Sequence, residues 1–398
     1  MKIALLALHF SEYASRLALA LAARHEVLLV LRADNAQSEL TPGLRRQLEA
    51  SVKVQYLEGR RWRDPRVLGA SLLLNRMVRK FSPDVVHVQE VHPLLVGYTV
   101  VSFRKTLPVI ITVHDPVSHS GGPPKEALLW KSLMWVRRRA SRLLVHGPQM
   151  RNEMEKLDSG LTGRVDVVPH GILAEPAALD ASLACEPETF LFFGRMEPYK
   201  GLRYLLDACD ILDARGHRFK VVIAGTGPDL EVHAQRIAAS PHIELINKYI
   251  PAGEVGALFR RASAVVLPYT DATQSGVAAI ALANSRPVIA TATGDLTEIV
   301  QHGRSGLIVP PCNEEALANA MGQLLVDRPL RDSLAEGAGR QAREKLCWSR
   351  VAELTVETYI RAGAPSPAQP AVQATILPTL ERRSDSAADP AVHRRRTA

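Results

Sequence analysis

The sequence has little of what would make it a disulfide-stapled, thiolate-metal or membrane-spanning protein. Its 398 residues include four cysteines, Cys185, Cys209, Cys312 and Cys347, far apart and with no CxxC pair. That spacing argues against a disulfide framework and a structural metal; free thiols in a cytoplasmic protein are the simpler expectation. No apolar run approaches the roughly 20 residues that a membrane helix needs. The opening Met1-Lys2-Ile3-Ala4-Leu5-Leu6 is interrupted by His9, Glu12 and Arg16 before it reaches the length of a signal-peptide core. No DxD motif is evident to hold a divalent ion, and no nucleic-acid-binding module can be picked out.

What is present is an ordinary globular balance, 46% apolar and 23% charged residues, on a chain too long for one core. Two domains are therefore expected. The net charge of +8 is unevenly spread: residues 1–172 hold 25 Lys+Arg against 15 Asp+Glu, so the N-terminal part carries the whole surplus. Part of it is local, where Trp130, Lys131, Leu133, Met134 and Trp135 run into Arg137, Arg138, Arg139 and Arg142. A basic helix with two tryptophans suits the surface of an anionic membrane. It suits equally a packed helix with one solvated basic face.

Strands and helices alternate along the chain. Strands are expected at 2–8, 27–31, 85–88, 109–113, 142–145 and 165–168, with helices at 12–24, 67–81, 125–140 and 148–157; residues 33–66 look less regular. A second run has strands at 189–193, 220–224, 243–246, 264–267, 287–290 and 306–309, again separated by helices. Strands joined through helices of that length pair in parallel, with helices on both faces. The expectation is an α/β protein of two doubly wound, Rossmann-like domains, residues 1–172 and 188–345, joined by an Ala/Pro-rich linker at 173–187. A helix at 346–362 is expected to pack back on the first domain, and the Pro/Ala/Ser/Arg-rich tail 363–398 to be disordered. Ligands of such folds bind at the carboxyl ends of the strands, here in the cleft between the domains.

One stretch carries chemistry of its own. Phe190-Leu191-Phe192-Phe193 reads as a strand buried on both faces, broken by Gly194 and followed by Arg195, Lys200 and a helix from about Leu202. A glycine turn leaving a strand, two cations and a helix N-terminus together make a place for a diphosphate. Arg can fork two phosphate oxygens, while Lys acts as a mobile point charge. A plain strand–turn–helix joint with two solvated cations would share the pattern.

The stretch opens a series. Gly194-Arg195 with Pro198-Tyr199-Lys200-Gly201-Leu202 is followed by Ala224-Gly225-Thr226-Gly227-Pro228, Tyr249-Ile250-Pro251 and Val266-Leu267-Pro268-Tyr269. Then come Gln274-Ser275-Gly276-Val277, Arg286-Pro287-Val288-Ile289-Ala290, Gly294 with Glu298, and Gly303-Arg304-Ser305-Gly306-Leu307. In that order the motifs resemble the nucleotide-sugar domain of the retaining glycosyltransferases of family 4, which have the two-Rossmann GT-B architecture. The first domain resembles its counterpart less densely, through Pro83-Asp84-Val85-Val86-His87, Thr112-Val113-His114-Asp115 and Val168-Pro169-His170-Gly171.

The resemblance implies an enzyme that moves a sugar from a nucleoside-diphosphate sugar to a hydroxyl acceptor, in glycan, lipid-linked saccharide or glycoconjugate synthesis, without metal or cofactor. Arg195 and Lys200 match the family's diphosphate-binding pair. Gly225, Gly227 and the helix start Ser275-Gly276-Val277 would bring backbone N–H groups to the phosphates, and Gln274, Tyr249 and Ile250 fall at nucleotide and sugar positions. His114 matches the histidine that faces the donor sugar, and Asp271 can take the role of the sugar-facing carboxylate. Three positions depart from the pattern. Ala272 stands where the family has its first glutamate, with Asp271 adjacent. His9-Phe10-Ser11 stands where the family has a Gly-rich loop, and Ile280 stands where it has a glutamate on the ribose hydroxyls. Glu298, three residues after Asp295, reads as a helix-start residue. The departures leave open another enzyme on the same fold, such as a sugar-nucleotide epimerase or a phosphorylase, or a non-catalytic scaffold. A cytoplasmic location is expected, with contact to an anionic inner membrane face if the acceptor is lipid-linked.

Overall fold

The computed structural model describes residues 1–58, 67–89, 93–116, 127–173, 185–271 and 275–366. The described strands form two all-parallel sheets. The first holds β1 (Lys2–Ala7), β2 (Glu26–Arg32), β3 (Lys53–Leu57), β4 (Val85–Gln89), β5 (Val109–Thr112), β6 (Arg142–Val145) and β7 (Val165–Val167), in the order β3-β2-β1-β4-β5-β6-β7. The second holds β8 (Thr189–Phe193), β9 (Lys220–Ala224), β10 (Ile243–Ile246), β11 (Ala264–Leu267), β12 (Val288–Thr291) and β13 (Gly306–Val309), in the order β10-β9-β8-β11-β12-β13. Each order reverses direction once, between β1 and β4 and between β8 and β11. A crevice opens outside the carboxyl ends of the strands at such a switch point.

Period-two alternation accounts for the layers. Along β1, Ala4 and Leu6 face one apolar cluster while Ile3, Leu5 and Ala7 face another, and both sides are covered by helices. Along β8, Phe190 and Phe192 face one cluster and Leu191 and Phe193 the other. Strands buried on both faces read as continuous apolar runs, which is why they stand out in the sequence.

One region differs from the expectation, and two helices stand where the sequence assigns no element. Residues expected to be irregular form the helices Ala33–Glu39 and Pro42–Ser51 and the edge strand β3. β3 is mostly exposed, so it lacks the apolar run that marks the inner strands. A helix at Pro93–Phe103 is built from Val, Thr and a central Gly97, residues that do not favour helix, and it is held by packing between its neighbours. The helix Arg328–Lys345 has no broad apolar stripe, but its start is capped: Asp327 Oδ1 accepts from the Leu330 N–H at 2.9 Å. No helix among the described residues is long and apolar enough to cross a membrane.

Among the described residues, three features stand out in tying the two lobes. The chain leaves the first lobe at Ile172 and returns at Trp348, whose Nε1–H donates to Ile172 O at 2.7 Å. The helix Trp348–Arg361 then packs on the helix Ser11–Ala22 and inserts Tyr359 beneath the first sheet. The third tie is Asp295 of the second lobe, 1% exposed, whose Oδ1 accepts from the Gln149 N–H at 2.9 Å. Gln149 is in the first turn of Pro148–Leu157, whose own N-cap, Gly147, has no side chain to offer. Asp295 therefore caps a helix in the other lobe. It makes no side-chain cap to its own helix, Leu296–Ile299, where Glu298 occupies the first turn.

Candidate active site

At the second sheet's switch point β8 ends in Gly194, whose backbone sits at φ +116°, and β11 ends before Pro268 and Tyr269. The loop after β9 presses directly on the loop after β8. A Cβ at Gly225 would lie 1.9 Å from Gly194 O, and one at Gly227 would lie 2.4 Å from Met196 O. Packing alone thus requires glycine at both positions, before any phosphate is considered.

Lys200 folds back over this turn. A Cβ at Gly194 would meet its Nζ at 2.6 Å and Val277 Cγ2 at 3.8 Å, so the ammonium and the start of helix Gly276–Ala283 both sit beside Gly194. Lys200 is buried, with Nζ 5.5 Å from the centroid of the Tyr269 ring. Burial, and secondarily Arg195, push its pKa down to about 8. Tyr269 is itself buried, and Ser275 Oγ accepts from the Ala278 N–H at 3.2 Å. The N–H groups of Gly276 and Val277 are left among the orphan donors of a helix N-terminus, with its positive dipole end.

A cavity of about 350 Å³ opens here. Gly194, Arg195, Gly225, Thr226, Tyr249 and Ile250 line it, together with Ile280, while Glu12 and Leu173 close it from the other lobe. Arg195 is exposed, and Tyr249, at 79% exposure, presents its ring to solvent. A larger concavity of about 560 Å³, bounded by Glu186, Lys220 and His242, lies at the amino ends of β8 and β9, the wrong end of the sheet for a ligand. Asp271 is exposed in the loop after Tyr269; its charge and that of Asp115, from the first lobe, both act on Tyr199. Gln274, most of the linker and the tail beyond 366 lie outside the described residues.

The first sheet presents a different floor. Phe10, in place of the family's Gly-rich loop, holds the left-handed backbone that glycine favours (φ +59°) and stacks on His114 at 3.8 Å between ring centroids. His114 Nε2 lies 2.8 Å from Gln89 Oε1, and its Nδ1 lies 3.2 Å from His146 Nε2. Deeper still, His87 bridges Tyr359 Oη and Thr112 Oγ1, each at 2.7 Å. Burial lowers the pKa of His114 and His146 well below the usual range, and that of His170 to about 4 and of His87 to about 3. The four rings are therefore neutral near pH 7.

The basic helix is used for packing. Arg137 is 1% exposed and donates to the carbonyls of Asp115 and Pro116, pinning the segment that follows His114. Arg138 pairs with Asp158, and Arg139 lies over the Trp135 ring at 3.7 Å. Arg137 is thus packed rather than solvated, while Trp135 stays exposed beside Arg139.

The structure thus brings Arg195, Lys200, Gly225, Gly227, Tyr249, Ile250, Ser275, Gly276 and Val277 to one end of the second sheet, with His114 at the corresponding end of the first. Asp295 escapes a reading of the sequence because it acts on a residue far away along the chain, and Glu12 because only the fold brings it to the cavity. Tyr269, His146 and His170 carry a usable signal, since each stands at the carboxyl end of a strand.

Comparison with known proteins gives the same outline. Residues 187–327 match the glycosyl transferases group 1, and residues 11–175 match glycosyltransferase family 4. The chain is 29% identical over 212 residues to a D-inositol 3-phosphate glycosyltransferase of Pseudarthrobacter chlorophenolicus, covering 49% of this chain and 50% of that protein. It is 28% identical over 230 residues to a phosphatidyl-myo-inositol mannosyltransferase of Mycobacterium leprae, covering 56% and 60%. The chain spans about half the length of the curated relatives it matches. Among solved structures, Anabaena HepE in complex with UDP and glucose superposes with a TM-score of 0.69 at 16% identity, over 91% of this chain and 100% of that one. At that identity the likeness speaks for the fold alone.

Proposed function

The chain belongs to the glycosyltransferases of family 4, in their GT-B fold, and from that premise we propose that it moves a sugar from a nucleoside-diphosphate sugar to a hydroxyl acceptor with retention of configuration. The observation that carries the proposal is the cavity at the β8–β11 switch point, where Arg195, the Gly194 turn and Gly225 meet Tyr249 and Ile250 beside the buried ammonium of Lys200.

As the bond between sugar and diphosphate breaks, negative charge gathers on the leaving phosphate. Arg195, Lys200 and the amides of Gly276 and Val277 supply fixed positive potential where that charge develops. The acceptor attacks from the face the diphosphate leaves, and a departing phosphate oxygen takes the hydroxyl proton, so no protein base is required. Asp271 faces the positive charge at the anomeric carbon. His114 meets a donor hydroxyl by exchanging Gln89 Oε1 for it at Nε2. Tyr249 offers a ring for the base, and Ile280 provides an apolar wall where an acceptor for the ribose would be expected. The acceptor lies against the basic first lobe, so a polyol or saccharide bearing an anionic group fits best.

A thermal-shift panel of UDP, GDP, ADP and TDP tests the donor site, because a ligand bound only by the native state raises its stability. One nucleotide is expected to stabilise the protein, and the matching sugar donor to yield a product whose anomeric configuration, followed by NMR, is that of the donor. No stabilisation by any of the four would sink the proposal. Stabilisation without turnover on any donor would favour the non-catalytic reading that Ile280 and Phe10 suggest.

A further inference from the structure

Three successive strands of the first sheet are each followed by a histidine: His114 after β5, His146 after β6 and His170 after β7. The rings converge, with centroids 4.9 Å apart for His114–His146 and for His146–His170. One nitrogen of each ring faces an acceptor outside the cluster. His146 Nδ1 is 3.1 Å from Val168 O, and His170 Nδ1 is 2.8 Å from Gly171 O. A backbone carbonyl only accepts, so both Nδ1 atoms carry the proton and both Nε2 atoms hold lone pairs. His114 Nε2 faces Gln89 Oε1 in the same way, which leaves a lone pair on its Nδ1. One ring nitrogen of each of the three histidines lies within 4.8 Å of one on each of the others, and His114 Nδ1 and His146 Nε2 are 3.2 Å apart. Two lone pairs at that separation repel unless a cation lies between them.

We propose that His114 Nδ1, His146 Nε2 and His170 Nε2 form a binding site for a divalent transition-metal ion of the zinc class. Nitrogens each about 2.0–2.1 Å from a tetrahedral zinc stand about 3.3 Å apart, close to the 3.2 Å observed. Three neutral imidazoles select zinc, cobalt, nickel or copper over magnesium or calcium, which prefer oxygen. Carbonyl acceptors behind the coordinating rings fix their tautomer and orientation, the usual outer shell of a histidine metal site. Tyr13 walls the cluster, its ring 5.0–5.2 Å from all three imidazoles, and its hydroxyl is buried without a hydrogen-bond partner. No DxD pair or cysteine cluster announces such a site, because the ligands come from strands that are neighbours only in the sheet. The metal takes Nδ1 of His114 and leaves Nε2 for the sugar, so the site stands whether or not the donor reading holds.

The competing arrangement is a proton in place of a metal. Turning the Gln89 amide end for end would let its Nε2, otherwise an orphan, donate to His114 Nε2, with His114 Nδ1–H then donating to His146 Nε2. That chain does not involve His170 and needs no ion. The test uses the untagged full chain, stripped with chelator and titrated with Co²⁺ and with Zn²⁺. One equivalent is expected, with the visible d–d absorption of four-coordinate Co²⁺, and His170→Asn and His146→Asn should each weaken binding by about 100-fold or more. His302→Asn, in the other lobe, should leave it unchanged. A measurement that needs no variant is modification of the wild type with diethylpyrocarbonate: Zn²⁺ should shield His146 and His170, located by peptide mass mapping. Failure of the stripped protein to take up Co²⁺, retained affinity in both Asn variants, or equal modification with and without Zn²⁺ would each overturn the site.

Discussion

The two lobes share one strand order, yet their switch points hold opposite chemistry. In the second lobe the loops after β8 and β9 touch backbone to backbone, at positions where no Cβ fits; Arg195 lines the space above them and the buried Lys200 Nζ lies beside Gly194. In the first lobe the loop after β1 carries Phe10 in a glycine-like conformation, and its ring lies on a floor of neutral histidines. One end brings backbone to backbone beside two cations, the other presents side chains that line a surface. A doubly wound fold fixes where a ligand sits; the residues at the strand ends decide what that ligand is.

The sharpest way to break this contrast is at the cations. Arg195→Ala and Lys200→Ala should each weaken nucleoside-diphosphate binding by about 2–4 kcal/mol, roughly 30- to 1,000-fold. Equilibrium dialysis reads this directly, and changes under threefold in both variants would remove the anion site. Gly225→Ala comes next. Its Cβ collides with Gly194 O, so denaturant titration should show a loss of about 1–3 kcal/mol; unchanged stability would mean that the two loops are not in contact.

Proton linkage gives a smaller effect. A bound diphosphate favours the charged form of Lys200, whose pKa in the free protein is about 8. Binding above that pH therefore takes up a proton. Affinity should be full below about pH 7 and fall by up to roughly tenfold per unit as pH rises past 8. In Lys200→Arg the slope should vanish, and a slope that persists would place the titrating group elsewhere. The smallest effect tests the other lobe. Phe10→Gly relieves about 1–2 kcal/mol of left-handed strain but forfeits the stacking on His114, so its net effect should stay within about 1 kcal/mol. A loss as large as that of Gly225→Ala would show that the two switch points are not opposites after all.

Much of this architecture is legible in the order of the residues. Inner strands such as β1 and β8 are buried on both faces and announce themselves as apolar runs, and Gly194, Arg195 and Lys200 mark the strand-to-helix joint. Edge strand β3 and the helix Pro93–Phe103 are not legible in that way, because an exposed edge needs no apolar run and because packing overrides local propensity. The role of Asp295 is hidden for another reason: its partner, the helix start at Gln149, is 146 residues away in sequence.

The sequence by itself determined the alternation of elements, the two-lobe plan and the cations at the β8 turn, since these rest on periodicity and on neighbours in the chain. Only the tertiary structure decided which glycines are forced by contact, that Arg137 is buried, and that three histidines from separate strands converge. Those facts depend on distances between segments far apart in sequence, which are set when the sheets form and their loops are pressed together.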